Sequence, residues 1–454
     1  MKEYKLKYKN VFSMLTPAQI IVIYYILTVS VSTILLSLPV ALKPGVELSF
    51  LDALFTAASA VSVTGLTVVN ISETFSTVGR FILMFVLQVG GIGVMTLGTF
   101  LWLIFGKKIG FKERRLIMTD QNMFTLSGLV KLLKQVLILI LAIEAVGAII
   151  LGVYLLNYFD QPADAFLHGL FMSVSATTNG GFDISGASLM PFAHDYFIQF
   201  VNIILIILGA IGFPVLIEVK NFLMNKQNDR KFHFSLFAKL TSVTFFALVV
   251  FGTIIFIVLE YKYFLADKSW HEGFFYALFQ SVSTRSGGLS TMDVSQLSTP
   301  TLLVLCGLMF IGASPSSVGG GIRTTTFALN ILFVYHFARG NRHIKIFKRE
   351  LCEEDITKSM VVTLMAFFIT SASVVILSVT EKFSLIEILF EVCSAFGTTG
   401  LSLGITPELS SVGKCLIILL MFIGRVGIIS FMFMLGGKEK REKYHYPKER
   451  IIIG

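Results

Sequence analysis

Four short segments of this 454-residue chain repeat one polar pattern: ALFTAASAVSVTGL (53–66), GLFMSVSATTNGGF (169–182), ALFQSVSTRSGGL (277–289) and ILFEVCSAFGTTGL (388–401). Each has Leu-Phe, then a serine four residues beyond the Phe (Ser59, Ser175, Ser283, Ser394), then a Thr/Ser/Asn/Gly cluster that ends in glycine and an apolar residue. The terminal glycines are Gly65, Gly181, Gly288 and Gly400. Glycine reaches φ > 0 without steric cost and lets the backbone come close to an ion. Carbonyl oxygens at such a turn can then replace an ion's hydration shell. Thr64, Asn179, Gly180, Gly287 and Thr399, beside these glycines, complete the candidate ion-binding set. Phe to terminal glycine is ten residues in the first, second and fourth segments but nine in the third, so Gly287 could share the role of Gly288.

The elements that must position these turns are set by lipid. Hydrophobic residues make up 55% of the chain and charged ones 14%, and mean hydropathy is +0.80, a balance foreign to a soluble protein of this length. Apolar runs recur at about 18–39, 78–105, 131–156, 196–222, 237–259, 301–337, 359–379 and 413–435, which predicts eight spans. The apolar part of each repeated segment is too short to span and fits a re-entrant half-helix. Its non-helical return is tolerable at membrane depth only when buried in protein or lining a watery cavity. The predicted fold is therefore all-α and integral to the membrane, with four tandem helix–pore-helix–helix repeats. Eight transmembrane helices and four re-entrant pore helices would surround a pseudo-fourfold central pore. Each half-helix would point its partly negative C-terminus at the ion.

Charge placement supports a multi-pass topology. Of the 37 Lys and Arg, 28 fall at 1–10, 107–115, 131–134, 220–239, 339–358 and 438–450, alternate connections, which places both termini in the cytoplasm. The net charge of +9 is thus membrane topology rather than a nucleic-acid footprint. The other connections are rich in Asp and Glu, a sign that concentrates cations. No cleavable signal pattern precedes the first span, whose flank carries Lys2, Lys5, Lys7 and Lys9, so that span is expected to be retained. Cys306, Cys352, Cys393 and Cys415 have no CxxC spacing and suggest neither zinc nor a disulfide framework.

Beneath the turns, Gly90, Gly209, Gly312 and Gly424 recur in the later span of each repeat and are expected near mid-helix, either for close helix packing or along the ion path. The residues that follow are Gly91, Ala210, Ala313 and, in the fourth repeat, Arg425. An arginine at the centre of an apolar span is a functional candidate: an electrostatic barrier, a tether for a neighbouring loop, or the partner of Glu144. In the third repeat the span is interrupted by ASPSSVGGGIRTTT (313–326), with Ala313, Ser314, Pro315, Gly319, Gly320, Gly321 and Arg323. No ordinary helix survives that run, and a flexible small-residue segment under the turns is placed to gate. It lacks the GxxxxGK[ST] spacing of a phosphate loop. A rocking secondary transporter of two inverted repeats fits less well than four repeats of one orientation. An intramembrane hydrolase lacks its catalytic pair, so no enzyme is expected.

Together these residues resemble the Trk/Ktr/HKT superfamily of potassium transporters over essentially the whole chain, and most of all its bacterial Ktr membrane subunit. The resemblance implies that Gly65, Gly181, Gly288 and Gly400 bind dehydrated K+ as a selectivity filter. Plant members with serine at the first position select sodium, so Gly65 favours potassium. It implies a gating loop over Ala313–Thr326 and an inner-pore Arg425, and Arg323 stands where Lys or Arg is usual. Arg285 also fits a Ktr-like pattern, without a sequence-based reason for its charge. The domains follow: cytoplasmic tail 1–15, repeats 16–115, 116–226, 227–350 and 351–437, and cytoplasmic tail 438–454. The implied partners are a second copy in a homodimer and a cytoplasmic ring of RCK-type, nucleotide-binding regulatory subunits, in a bacterial plasma membrane. Na+ is a second candidate ion, on which uptake would depend, with channel-like and sodium-coupled flux both open; nucleic acid is not an expected partner.

Overall fold

The computed structural model describes residues 16–93, 129–224, 233–341 and 343–436, with Pro447 and Glu449. The lysines of the N-terminal tail and the basic connection at 107–115 lie outside the described residues. Four long helices, Pro17–Leu36, Leu129–Leu155, Leu236–Glu260 and Glu353–Thr380, are apolar and long enough to cross a membrane. At 1.5 Å per residue even the shortest reaches about 30 Å. The first begins with a capping box, in which Thr16 and Gln19 satisfy each other's free backbone donors, and with Pro17 in its first turn. Large apolar side chains such as Ile34, Val258 and Val379 stand exposed along these helices, the surface of a multi-pass protein whose solvent is lipid.

Each long helix is followed by a short one that packs against it: Phe50–Ser62, Pro162–Thr177, Trp270–Ser283 and Leu385–Gly397. The repeated phenylalanines Phe55, Phe171, Phe279 and Phe390 are their buried anchors. The chain then enters Thr77–Ile92, Tyr196–Ala210, Thr299–Ile311 and Ser411–Val426. Each of these packs on the short helix of the next unit, and the fourth packs on the first, Phe50–Ser62, so the contacts run in a closed cycle. Two carboxylates fasten the entries of the last two: Glu260 accepts from Ser298 N–H (3.0 Å) and Oγ (2.6 Å), and Glu381 from Ser410 N–H (3.1 Å) and Oγ (2.5 Å).

Two expectations are corrected. The spans predicted at 196–222 and 413–435 are not continuous: Tyr196–Ala210 meets Phe213–Met224 at 106°, and Ser411–Val426 meets Ile428–Met434 at 106°. The breaks fall at Gly212 (φ 103°) and Gly427 (φ 89°), and Gly93 (φ 93°) closes Thr77–Ile92 in the same way. A positive φ cannot continue a right-handed helix. Consequently Gly312 (φ 71°), which ends Thr299–Ile311, is the counterpart of Gly93, Gly212 and Gly427. Gly90, Gly209 and Gly424 lie three residues before those breaks, in the last helical turn rather than mid-helix, and Met309 occupies the matching place in the third unit. Two apolar helices shorter than a span, Thr299–Ile311 and Thr324–Ala338, flank the interruption expected there.

Candidate functional site

The four glycine turns share one backbone geometry. Gly65, Gly181, Gly288 and Gly400 have φ of 93°, 65°, 68° and 91°. Two residues earlier, Val63, Asn179, Ser286 and Thr398 also have positive φ (57°, 52°, 77°, 46°), whereas the intervening Thr64, Gly180, Gly287 and Thr399 do not. Alternating hands turn successive backbone dipoles toward one side. A β-branched residue in the left-handed region is a true outlier, and Val63 and Thr398 are both β-branched, which marks the turns as imposed by their surroundings.

The recurrent serine imposes it. The N–H of Thr64, Gly180 and Thr399 donates to the carbonyl of Ser59, Ser175 and Ser394 at 2.8, 2.7 and 2.8 Å, five residues back. In the third unit Gly287 donates to Ser283 O at 2.7 Å, only four residues back, so the shorter segment is absorbed by a tighter closure. Gly288, with its positive φ, is therefore the equivalent of the other three glycines, and Gly287 packs beside Ile206 instead. The serine hydroxyls act in two ways. Ser59 and Ser394 accept from Gly65 and Gly400 N–H (3.1 and 3.0 Å), whereas Ser175 and Ser283 donate to the carbonyls after the glycine, Phe182 O (2.6 Å) and Leu289 O (2.5 Å).

The turns meet. A Cβ on Gly65 would lie 2.7 Å from Gly180 O and 3.0 Å from Gly181 Cα; one on Gly181 would lie 2.9 Å from Gly288 Cα. On Gly288 it would strike Thr399 O, and on Gly400 it would strike Thr64 O and come within 3.0 Å of Gly65 Cα. Four glycines distant in sequence thus close a ring that admits no side chain, with backbone oxygens in it. Such a ring can coordinate a bare cation. The last-turn glycines serve packing: a Cβ on Gly90, Gly209 or Gly424 would fall on the carbonyl of Val61, Thr177 or Phe396, at the C-terminus of the same unit's short helix.

The segment after Gly312 is folded tightly beneath the ring. Ala313 N–H donates to Gly320 O (3.1 Å), Ser314 N–H to Ala210 O (3.0 Å) and Val318 N–H to Gly209 O (3.3 Å), while Phe213 N–H returns to Ser316 O (2.8 Å). The break in the second unit thus finds its missing backbone partners in the third. Gly320 N–H donates to Ser286 Oγ (3.2 Å), which itself donates to Thr398 O (2.6 Å), joining the segment to the third and fourth turns. Gly319 and Gly320 abut Ser286 and Thr398 so closely that a Cβ would not fit, and Pro315 lies against Gly212. The small residues of this segment thus permit close packing. Gly321 (φ 85°) lies against Ile311, and Arg323 (φ 79°) opens the helix Thr324–Ala338 and donates to the carbonyls of Gly319 and Ser314.

Arg425 donates to Val318 O in the segment and to Gly90 O and Gly91 O (3.2 Å) at the end of Thr77–Ile92. The guanidinium fork joins two elements through carbonyls. Glu144 receives the side-chain amide of Gln88 instead. Arg285 is fully buried, and one guanidinium nitrogen donates to Leu308 O. Sequence reasoning did not single out Ser286, Thr398 or Glu391. The first two had a signal, since they stand two residues before a repeated glycine. Glu391 is fully buried in Leu385–Gly397 and accepts from Ser402 Oγ (2.8 Å) and Thr406 Oγ1 (2.5 Å).

A family model described as TrkH, cation transport protein, matches residues 2–437. The chain is 62% identical over 450 residues to Ktr system potassium uptake protein D of Bacillus subtilis (strain 168), covering 99% of this chain and all of that one. It is 36% identical to Ktr system potassium uptake protein B of the same organism, with 97% of each covered. The crystal structure of the potassium transporter TrkH from Vibrio parahaemolyticus superimposes with a TM-score of 0.72 at 20% identity, over 93% of this chain and 85% of that one, a likeness of fold.

Proposed function

From the premise that the chain belongs to the TrkH family of cation transport proteins, and so is a transporter and not an enzyme, we propose that it carries potassium into the cell through the ring of Gly65, Gly181, Gly288 and Gly400. The observation that carries this reading is the ring itself: four equivalent turns of alternating hand, in contact, with room for backbone oxygens and none for side chains. A site of that kind selects by replacing water with carbonyls, and the short helices aim their partly negative C-termini at it. In this reading Thr64, Asn179, Gly180, Gly287 and Thr399 complete the filter, and each unit is a helix–pore-helix–helix repeat. The repeats occupy 16–115, 116–226, 227–350 and 351–437 around a pseudo-fourfold pore, with eight spans, four re-entrant helices and cytoplasmic tails at 1–15 and 438–454.

The segment from Gly312 to Thr326 is the gate, and Arg425 is its tether rather than a barrier, because its donors are engaged by carbonyls on both sides. A ring of nucleotide-binding RCK-type subunits acts on a homodimer of this chain in the bacterial plasma membrane, and sodium stimulates uptake. The relatives' description as parts of a Ktr system supports a regulatory partner. The test is growth of a potassium-uptake-deficient bacterium carrying the chain and its regulatory subunit. Wild type should support growth in low potassium, and Gly65→Ser and Gly288→Ser should shift preference toward sodium. Failure of wild type sinks the potassium reading; unchanged preference in both variants removes the filter. Uptake unchanged when sodium is replaced by choline removes the sodium effect.

A further inference from the structure

The four turns are not held equally on their exit side. In the second and third units the pore-helix serine donates to the carbonyl beyond the glycine, Phe182 O or Leu289 O, and so holds the departing backbone directly. In the fourth unit Ser394 is instead the acceptor for Gly400 N–H, which leaves the exit to other groups. Leu385–Gly397 supplies one. The residue after the anchoring phenylalanine is Thr56, Met172, Gln280 and Glu391 in the four units, and only the fourth is a carboxylate. Glu391 is fully buried, and each of its oxygens accepts a hydroxyl from the loop and 3-10 turn that follow Gly400: Ser402 Oγ at 2.8 Å and Thr406 Oγ1 at 2.5 Å. The two hydroxyls also meet at 3.0 Å, and Ser402 Oγ accepts Gly404 N–H at 3.0 Å. One helix thus holds the Gly400 N–H through Ser394 and, through Glu391, the chain two and six residues beyond it.

We propose that Glu391 is a positioning residue for ion selection: it fixes the backbone leaving Gly400, and with it the distance at which the fourth turn meets the ion. The inference rests on reading the ring as a filter. A carboxyl group buried beside two hydroxyls, each of its oxygens hydrogen-bonded, is a costly choice for mere packing. Selectivity between K+ and Na+ depends on where and how firmly carbonyls are held, so a group that acts only on position should change the ion preference more than the amount of protein.

The experiment compares initial K+ and Na+ uptake by variants carried with the regulatory subunit, normalised to protein in the membrane. Glu391→Ala should lower the K+/Na+ uptake ratio by about three- to tenfold, the scale of a typical hydrogen bond's net worth, although it removes two. Glu391→Gln, which keeps one acceptor and offers a donor to a hydroxyl that reverses, should stay within about twofold of wild type. Ser402→Ala with Thr406→Val should reproduce the loss and add little to Glu391→Ala, because all three remove one network. That pair leaves the buried helix intact and carries the test if Glu391→Ala does not fold. A wild-type ratio in Glu391→Ala, or in the hydroxyl pair, overturns the proposal. Gly400→Ser separates the two readings. A shifted ratio there with Glu391→Ala unchanged rejects only the role of Glu391, whereas an unchanged ratio in Gly400→Ser rejects the filter on which it rests.

Discussion

Gly400, Gly424 and Gly307 sit in three different surroundings, and alanine at the last two tells close packing from open space. Gly400 needs its positive φ and has Thr64 O against it; Gly424 is helical but lies on Phe396 O; Gly307, in Thr299–Ile311, faces nothing within 4 Å. Gly424→Ala should therefore cost about 1–3 kcal/mol, the range for overpacking, read as a lower melting temperature in detergent. Gly307→Ala should be neutral or stabilising by up to about 1 kcal/mol, because alanine restricts the unfolded chain without a clash. Equal melting of the two variants would remove the close-packing account of Gly90, Gly209 and Gly424.

At the level of elements, the broken helices explain one another. Phe213 N–H, freed by the bend at Gly212, is satisfied by Ser316 O, and the segment 313–326 is in turn held by Ala210, Gly209 and Arg425. If that segment is the gate, cutting its tether should release it. Arg425→Ala is expected to raise cation flux in proteoliposomes lacking the regulatory subunit, and Arg425→Lys to restore closure only in part, since an ammonium cannot reproduce a planar fork between two carbonyl sets. Flux in Arg425→Ala no higher than wild type at equal reconstitution would count against the tether. Deletion within 313–326 should likewise raise flux. Glu381 works at an element end. Losing its bonds to Ser410 should cost about 1–2 kcal/mol, as a lost N-terminal cap does, with faster amide exchange at Ser410 and Gly413 in Glu381→Ala. Unchanged exchange there would show that the cap is redundant.

Over the whole molecule, packing of Thr77–Ile92, Tyr196–Ala210, Thr299–Ile311 and Ser411–Val426 each on the short helix of the next unit makes the four units interdependent. For the proposed homodimer, light scattering of the purified protein in detergent should give the mass of two chains; one chain would remove the homodimer from the proposal.

The repeated Leu-Phe, serine and glycine pattern was legible because each position answers a local demand: a buried anchor, a hydroxyl within reach of the turn, a residue free to take φ > 0. Membrane class was legible for an equally local reason, the length and apolarity of the runs. The equivalence of Gly312 with Gly93, Gly212 and Gly427 was not, because helix-breaking glycines and helix-packing glycines look alike until φ and neighbours are known. The bends in the second and fourth units escaped for a related reason. An apolar run reads as one helix whether or not a loop from another unit waits to accept its freed N–H groups. Glu391, too, is one acidic residue in an apolar segment, and its meaning comes from Ser402 and Thr406 folding back over it. Sequence alone thus determined the solvent, the four turns and the glycines that take positive φ in them. Which glycines break a helix, what Arg425 holds and how the four turns close into one ring were decided by tertiary structure, since each depends on backbone groups brought together from units far apart in the chain.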